Sequence, residues 1–381
     1  MDLFALQQAV EARRPVFLSD LQQLVDLDCG SYDKAGVDAA GRLVEARLTS
    51  DGWTVERLPD PVYGDTLVAT IDGGAPGHVV LMAHLDTVFE MGTAAARPFR
   101  VEGDTAYGPG VTDCKAGVLA GVNAVAALQG QSFPRVTFLL TPDEEIGSPS
   151  SRAHIQAYAL GADAAFCLEC ARANGDIVIA RKGVVDLVVE IEGRAAHAGI
   201  EPEKGINAAL DAALTAVALQ ELGGRWPGVT VNVGVIQAGS RPNIVCPSAR
   251  LEIDVRAVEL ATFEAAVAEV ERVALEVRVP GVTKSATRTA AHAPMEPTQA
   301  ARHLAGHALF LAGQLGLSTN ACSTGGAADA NTTSSMGVPT IDGLGPVGGN
   351  DHAPTEYLDL SSIVPRTTLL AALIASVPLS I

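Results

Sequence analysis

Apolar and polar positions divide the chain into two styles. Over Leu3 to Leu27 the apolar residues recur at helical spacing, and the chain then turns around Gly30. Ala39 to Ser50 repeats the amphipathic pattern and closes on Asp51-Gly52, a helix stop. Short apolar runs follow at Thr66 to Ile71, Val79 to Ala83, Arg135 to Leu140 and Ala164 to Leu168, with a helical stretch over Lys115 to Leu128. Strands apolar on both faces need cover on both sides, so this pattern predicts an α/β domain built on a mostly parallel sheet.

From Val184 the period changes. Val184 to Glu192 (VVDLVVEIE) alternates, Ile206 to Leu222 is helical, and Val229 to Ile236 and Ala249 to Val255 read as strands. A helix over Thr262 to Val279 and a strand over Thr283 to Thr289 complete the order β-α-β-β-α-β. That is the order of the split βαβ (ferredoxin-like) sandwich, which folds as its own unit. After Pro294 the chain returns to a helix (Thr298 to Leu315), a Gly-rich stretch and a last helix. An insertion explains this best: residues 1–183 and 292–381 form one domain, and residues 184–291 a second domain set into it. The length of 381 residues, beyond the usual size of one core, agrees with two domains.

Composition narrows the partners. A hydrophobic fraction of 48% and a charged fraction of 18% describe a globular protein. The net charge of −18, with no Lys/Arg run to offset it, argues against nucleic acid or an anionic membrane surface. Leu369 to Ile381 is too short to span a bilayer and contains Pro378, so no membrane partner is expected. Met1 to Val25 carries Asp2, Glu11, Arg13, Arg14 and Asp20 without an uninterrupted apolar stretch, so no signal peptide is expected either. Six cysteines in a chain this long do not suggest a disulfide framework. Cys167 and Cys170 form one CxxC without the second pair of a zinc knuckle, and read as buried thiols in a reducing cytoplasm.

Chemistry collects where strands end, the usual place for ligands in a parallel α/β sheet. His84-Leu85-Asp86 directly follows the run Val79 to Ala83, and residues two apart on an extended backbone share one face. Asp86 can then hold the second ring nitrogen of His84, as carboxylates do for metal-binding histidines. A surface loop with a chance HxD is equally compatible with these residues alone. Asp113, in GPGVTDCKAG, leads into a helix, where capping is the plain alternative. Asp143, Glu144 and Glu145 put three carboxylates at the mouth of one strand, either as a solvated acidic turn or around a cation that relieves their repulsion. Glu169 follows another apolar run, and four such strand-end positions favour a metal site. His352, in GGNDHAPTEY, has no partner nearby in sequence. Leu304 stands where an HExxH motif over His303 and His307 needs Glu, and neither a GxSxG elbow nor a phosphate-binding loop occurs.

Five segments in order resemble the aminoacylase/carboxypeptidase family of dinuclear zinc hydrolases, most closely its folate-cleaving glutamate carboxypeptidases. They are AHLDTVFEMGTAAARPFRVEGDTAYGPGVTDCKAG, TPDEEIGSPSSR, GRAAHAGIEPEKGINA, NIVCPSARLEIDVR, and STGGAADAN followed by HAPTEYLDL, spanning roughly residues 80 to 366. The resemblance implies that His84 and Glu169 bind one metal, Glu145 and His352 the other, and that Asp113 bridges both. It makes Glu144 the general base, Asp86 the residue that orients a ligand, and the Asp113–Cys114 peptide cis. The ions would be two divalent cations, zinc by preference, with cobalt or manganese tolerated by the mixed N/O donor set. Metal binding lowers the pKa of water from 15.7 to about 7, and Glu144 would carry its proton to the leaving amine.

The inserted domain would then act as lid and dimerisation domain. His197, in AAHAGIEP, resembles the histidine that reaches the oxyanion from the partner of a homodimer. Asn243 and Arg256 resemble the pair that holds the substrate carboxylate, with backbone N–H groups of Gly325 and Gly326 on the same anion. No Lys occurs in Ala171 to Ile179, where the glutamate-specific members carry one, which leaves Arg288 to read an acidic side chain. The activity implied is metal-dependent hydrolysis of an amide or peptide bond next to a free carboxylate, in a small molecule or short peptide. The alternative is an N-acyl-amino-acid deacylase of small-molecule metabolism, which shares the metal core and differs in its substrate pocket.

Overall fold

The computed structural model describes residues 1–377; Pro378 to Ile381, the end of the late apolar segment, lies outside the described residues. The chain divides into two units, Met1–Ala180 with Pro297–Thr324 and Ala328 onward, and Arg181–Glu296 with Gly325–Ala327.

The first unit is an α/β layer structure around a six-stranded sheet. Its strands run in the order Thr54–Leu58, Thr66–Ile71, Phe133–Thr141, Gly74–His84, Ala164–Cys167 and Thr340–Ile341. The first two pairings are antiparallel and the remaining three parallel, so the sheet is mixed. Hydrophobic pattern reports burial on both faces, not strand direction, and the half-exposed Thr54–Leu58 carries no continuous apolar run to announce an antiparallel edge. Helix Ala116–Ala126 (AGVLAGVNAVA) is buried on every side, as an all-apolar helix must be. Leu119, Phe138, Phe166, Phe17 and Leu370 join it in one core.

Parallel pairing decides where the strand ends meet. His84 stands opposite Thr141, and Met82 opposite Cys167. The residues that follow all three strands therefore leave from one edge of the sheet. A second, antiparallel sheet orders Gly348–Gly349, Tyr357–Asp359, Thr105–Tyr107 and Arg100–Glu102. Arg100–Glu102 and Thr105–Tyr107 pair locally across Gly103-Asp104, but strands of two or three residues are too short to carry a period, and the pairing of Thr105–Tyr107 with Tyr357–Asp359 joins distant chain.

The second unit carries a four-stranded antiparallel sheet in the order Thr230–Ala238, Ser248–Ala257, Gly183–Glu192 and Thr283–His292. Helices Ala208–Gln220 and Leu260–Leu275 complete it. Alternation along Gly183–Glu192 buries Leu187, Val189 and Ile191 with Leu251, Ile253, Phe263 and Val270 in a core of its own. Asn207 caps the first of these helices, accepting from the Leu210 N–H.

Candidate metal centre

His84 ends its strand 1% exposed, its Nδ1 against the backbone oxygen of Asp86 at 3.0 Å. The other ring nitrogen faces outward, 2.9 Å from Asp113 Oδ1 and 3.6 Å from Glu169 Oε1. His352 makes a matching cluster, its Nε2 lying 3.3 Å from Asp113 Oδ2 and 3.0 Å from Glu145 Oε2. Asp113 is thus shared, one oxygen turned to each imidazole. Capping is not its role, since no side chain caps helix Ala116–Ala126. The Asp113–Cys114 peptide is cis.

The Asp86 carboxylate, fully buried, is a hub. It lies 3.4 Å from His84 Nδ1 and accepts from Ser31 Oγ at 2.6 Å, from the Glu144 N–H at 3.1 Å and from the Glu145 N–H at 3.2 Å. It therefore orients the imidazole and the turn Glu144–Ile146 together. The three consecutive carboxylates separate: Asp143 turns away to accept from the N–H and hydroxyl of Ser150 and Ser151 ahead of helix Arg152–Ala159, leaving Glu144 and Glu145 toward the cluster.

Electrostatics follow from crowding carboxylates around two imidazoles. Burial lowers the His84 pKa, but Glu169, Asp113 and Asp86 more than offset it, leaving it well above its ordinary value. Hydrogen bonds with Asp113 and Glu145 hold His352 up at about 10. Burial and the nearby Glu169 charge push Glu144 well up. Burial also raises Asp113, yet the two imidazoles bring it below the ordinary range. A set of acceptors this dense, with two imidazoles and a shared carboxylate, fits divalent cations. His84, Asp113 and Glu145 offer atoms within 4.8 Å of one another, as do His84, Cys114 and Glu169. Cys114 is the weak member, because burial pushes its thiol well up and its S–H donates to Leu168 O at 3.2 Å. The donor atoms that come together are thus those of His84, Asp113, Glu145, Glu169 and His352, with Glu144 beside them.

Sequence reasoning passed over three residues here. Ser31 is set against Thr87 by a backbone bridge next to Gly30 and donates to Asp86. Asp329, in STGGAADAN, is buried and accepts from Thr141 Oγ1 at 2.8 Å and from the Ser148 hydroxyl; burial pushes it up to about 6. Glu356, in HAPTEY, is 1% exposed and accepts three backbone N–H groups of the Asp113 loop. For Asp329 and Glu356 the available signal was an acidic residue inside an ordered motif, and Ser31 carried none; burial, which gives all three their meaning, is not written along the chain.

The remaining candidates lie in the second unit. His197 stands exposed in a turn, its Nδ1 accepting from the Gly199 N–H at 3.2 Å, and the adjacent Ala198 N–H donates to Asn243 O at 3.1 Å. Arg256 donates to Asp254 at 2.9 Å and to Gly325 O at 3.1 Å, and Arg181 to Gly326 O at 3.1 Å. Arg288 is held in a bidentate pair with Glu271 (2.6 and 2.9 Å), which an acidic substrate would have to break.

The Peptidase family M20/M25/M40 model matches residues 80–376. Carboxypeptidase G2 of Pseudomonas sp. (strain RS-16) is 33% identical over 380 residues, 97% of this chain and 91% of that protein. Succinyl-diaminopimelate desuccinylase of Sphingopyxis alaskensis is 30% identical over 254 residues, 62% of this chain and 67% of its own. Among solved structures, aminopeptidase PepT from Bacillus cereus superposes with a TM-score of 0.77 at 22% identity, covering 95% of this chain and 98% of its own.

Proposed function

The chain belongs to peptidase family M20/M25/M40 and is a metal-dependent hydrolase, and we propose that it cuts an amide or peptide bond next to a free carboxylate at a pair of divalent ions, as a glutamate carboxypeptidase does. The double use of Asp113 carries this reading: one oxygen belongs to the His84 and Glu169 group, the other to the His352 and Glu145 group. Zinc suits the mixed N/O donor set best, and cobalt or manganese would substitute. When bound, the ions would supply Lewis acidity toward the scissile carbonyl and acidify water to near neutral.

The chain's own residues manage the proton. Glu144, fixed through its N–H on Asp86, takes a proton from the attacking water and delivers it to the leaving amine. Asp86 keeps His84 and the Glu144 turn in one geometry. In the second unit, acting as lid and dimerisation domain, His197 would stabilise the oxyanion of the partner's site, while Asn243, Arg256 and the N–H groups of Gly325 and Gly326 hold the substrate carboxylate. Both arginines are already paired, but Asp254 takes Arg256 through Nε alone, whereas Glu271 takes both Nε and Nη2 of Arg288, so Arg256 is the better placed anion ligand. A homodimer is supported by the open edge of strand Thr230–Ala238 and by Leu210, Leu214, Val217 and Ile236, all exposed. Five of the six cysteines are buried as thiols, which supports the reading of a reducing, cytoplasmic location.

The alternative, an N-acyl-amino-acid deacylase, is supported by the similarity to a desuccinylase. A panel of N-acyl-glutamates, N-acetyl-amino acids and dipeptides separates the two. Glu144→Gln tests the mechanism: turnover should fall by about 10²–10⁴-fold with metal content kept, the usual share of a general acid–base group. Wild-type turnover in that variant would remove Glu144 as the base.

A further inference from the structure

Two parts of the centre far apart in sequence, the Asp113 loop and the His352 loop, are tied together by one carboxylate. Glu356 lies between His352 and strand Tyr357–Asp359, and accepts from the N–H groups of Gly110 (2.8 Å), Thr112 (2.9 Å) and Asp113 (3.1 Å). Donor and acceptor are more than 240 residues apart, and the carboxylate is buried, so neither water nor a neighbour replaces these bonds cheaply. The surroundings are built for close approach. A Cβ on Gly110, whose φ is +70°, would meet Thr87 Cγ2 at 2.6 Å. A Cβ on Gly348, in the strand paired to Tyr357–Asp359, would meet Thr112 Oγ1 at 2.0 Å. Asn350 and His352 between these strands both take left-handed backbone (φ +58° and +63°), uncommon for residues other than glycine.

We propose that Glu356 is a positioning residue for the dinuclear centre, setting the distance between the Asp113 loop and the His352 loop so that Asp113 can serve both cations. The proposal rests on the metal reading above. The reasoning is geometric. Asp113 has two oxygens to share, and a shift of its backbone would move both at once. The three N–H groups that Glu356 gathers include Asp113's own, and the same short segment, Asn350 to Tyr357, carries His352. A carboxylate suits three converging donors, having two oxygens with four lone-pair sites and no hydrogen. A carboxamide presents an NH₂ to donors it cannot accept from, although its shape is the same. Residues that hold metal ligands in place typically contribute 10–100-fold to metal affinity.

Chelator-treated wild type, E356Q and E356D would be titrated with Co²⁺, following the visible absorption bands and the heat of binding. D211N, which disturbs a buried carboxylate holding backbone N–H groups in the other unit, serves as the control for general destabilisation. The expected result is Co²⁺ affinity weakened at least tenfold in E356Q and less in E356D, which keeps the charge one methylene short, with altered Co²⁺ bands and D211N at the wild-type affinity. Unchanged affinity and spectrum in folded E356Q would overturn the proposal. So would failure of both E356Q and E356D to fold, since Glu356 would then be a folding residue. A wild-type chain that takes up no Co²⁺ would overturn the metal reading itself, an outcome distinct from an unchanged variant.

Discussion

His352 shows how much one side chain depends on its neighbours. Its imidazole touches Asp113 and Glu145, and its pKa stands at about 10 against an ordinary 6.5. A group raised in the folded state contributes stability that is complete below its unfolded pKa and is lost as pH rises through the folded value. Chelator-treated protein should therefore lose thermal stability between about pH 6.5 and 10, and His352→Gln should flatten that slope. A melting temperature independent of pH over this window in the wild type would contradict the assignment. The same protons oppose metal binding, so cation affinity should rise with pH, with protons released on binding. Glu144 and its neighbour Asp143 point apart: Asp143 spends its oxygens on Ser150 and Ser151, while Glu144 remains beside the cluster.

At the scale of elements, one buried pair organises the second unit. Asp211, on helix Ala208–Gln220, sits 3.0 Å from Lys284 Nζ on strand Thr283–His292 and accepts from the N–H groups of Arg278 and Val279. Both side chains are almost fully buried. Burial raises Asp211, but the Val279 N–H, Lys284 and the Arg278 N–H more than offset it, so its pKa lies below the ordinary carboxylate value. Its contribution is complete above the unfolded pKa and lost as pH falls through the lower folded one. Removing one partner of a buried pair typically costs about 3–5 kcal/mol. Asp211→Asn should lower stability by that order in chemical denaturation, and should speed amide exchange over residues 276–282. Exchange at the wild-type rate there would show that the pair is not what holds the segment.

For the whole molecule, the testable question is association. Strand Thr230–Ala238 is an open edge, and Val217 and Ile236 are exposed near the same side of its unit. Charges on such an edge oppose pairing. Val217→Glu with Ile236→Glu should convert a dimer to a monomer in light scattering while leaving metal content unchanged. A wild-type mass of one chain across the concentration range would remove the dimer. If His197 acts on the partner's site, the same double variant should lose turnover in step with its loss of mass.

Much of this was readable along the chain because it is local. Strand ends bearing His84, Glu144, Glu145 and Glu169, the change of period at Val184 and the ordered motifs all lie within short windows, where hydrophobic spacing and residue type carry the signal. The pairing of Thr54–Leu58 and the strand directions are not local, so the antiparallel pairings at one edge were not announced, although three of the five pairings are parallel as expected. That His84 and His352 meet on one carboxylate was implied only by the resemblance, and no window reports that Arg288 is already paired or that Glu356 reaches back to Gly110. The sequence by itself determined which groups were available for chemistry, because side-chain type and local period are written residue by residue. Only the tertiary structure decided which of them face one another, because that depends on burial and on hydrogen bonds between segments hundreds of residues apart.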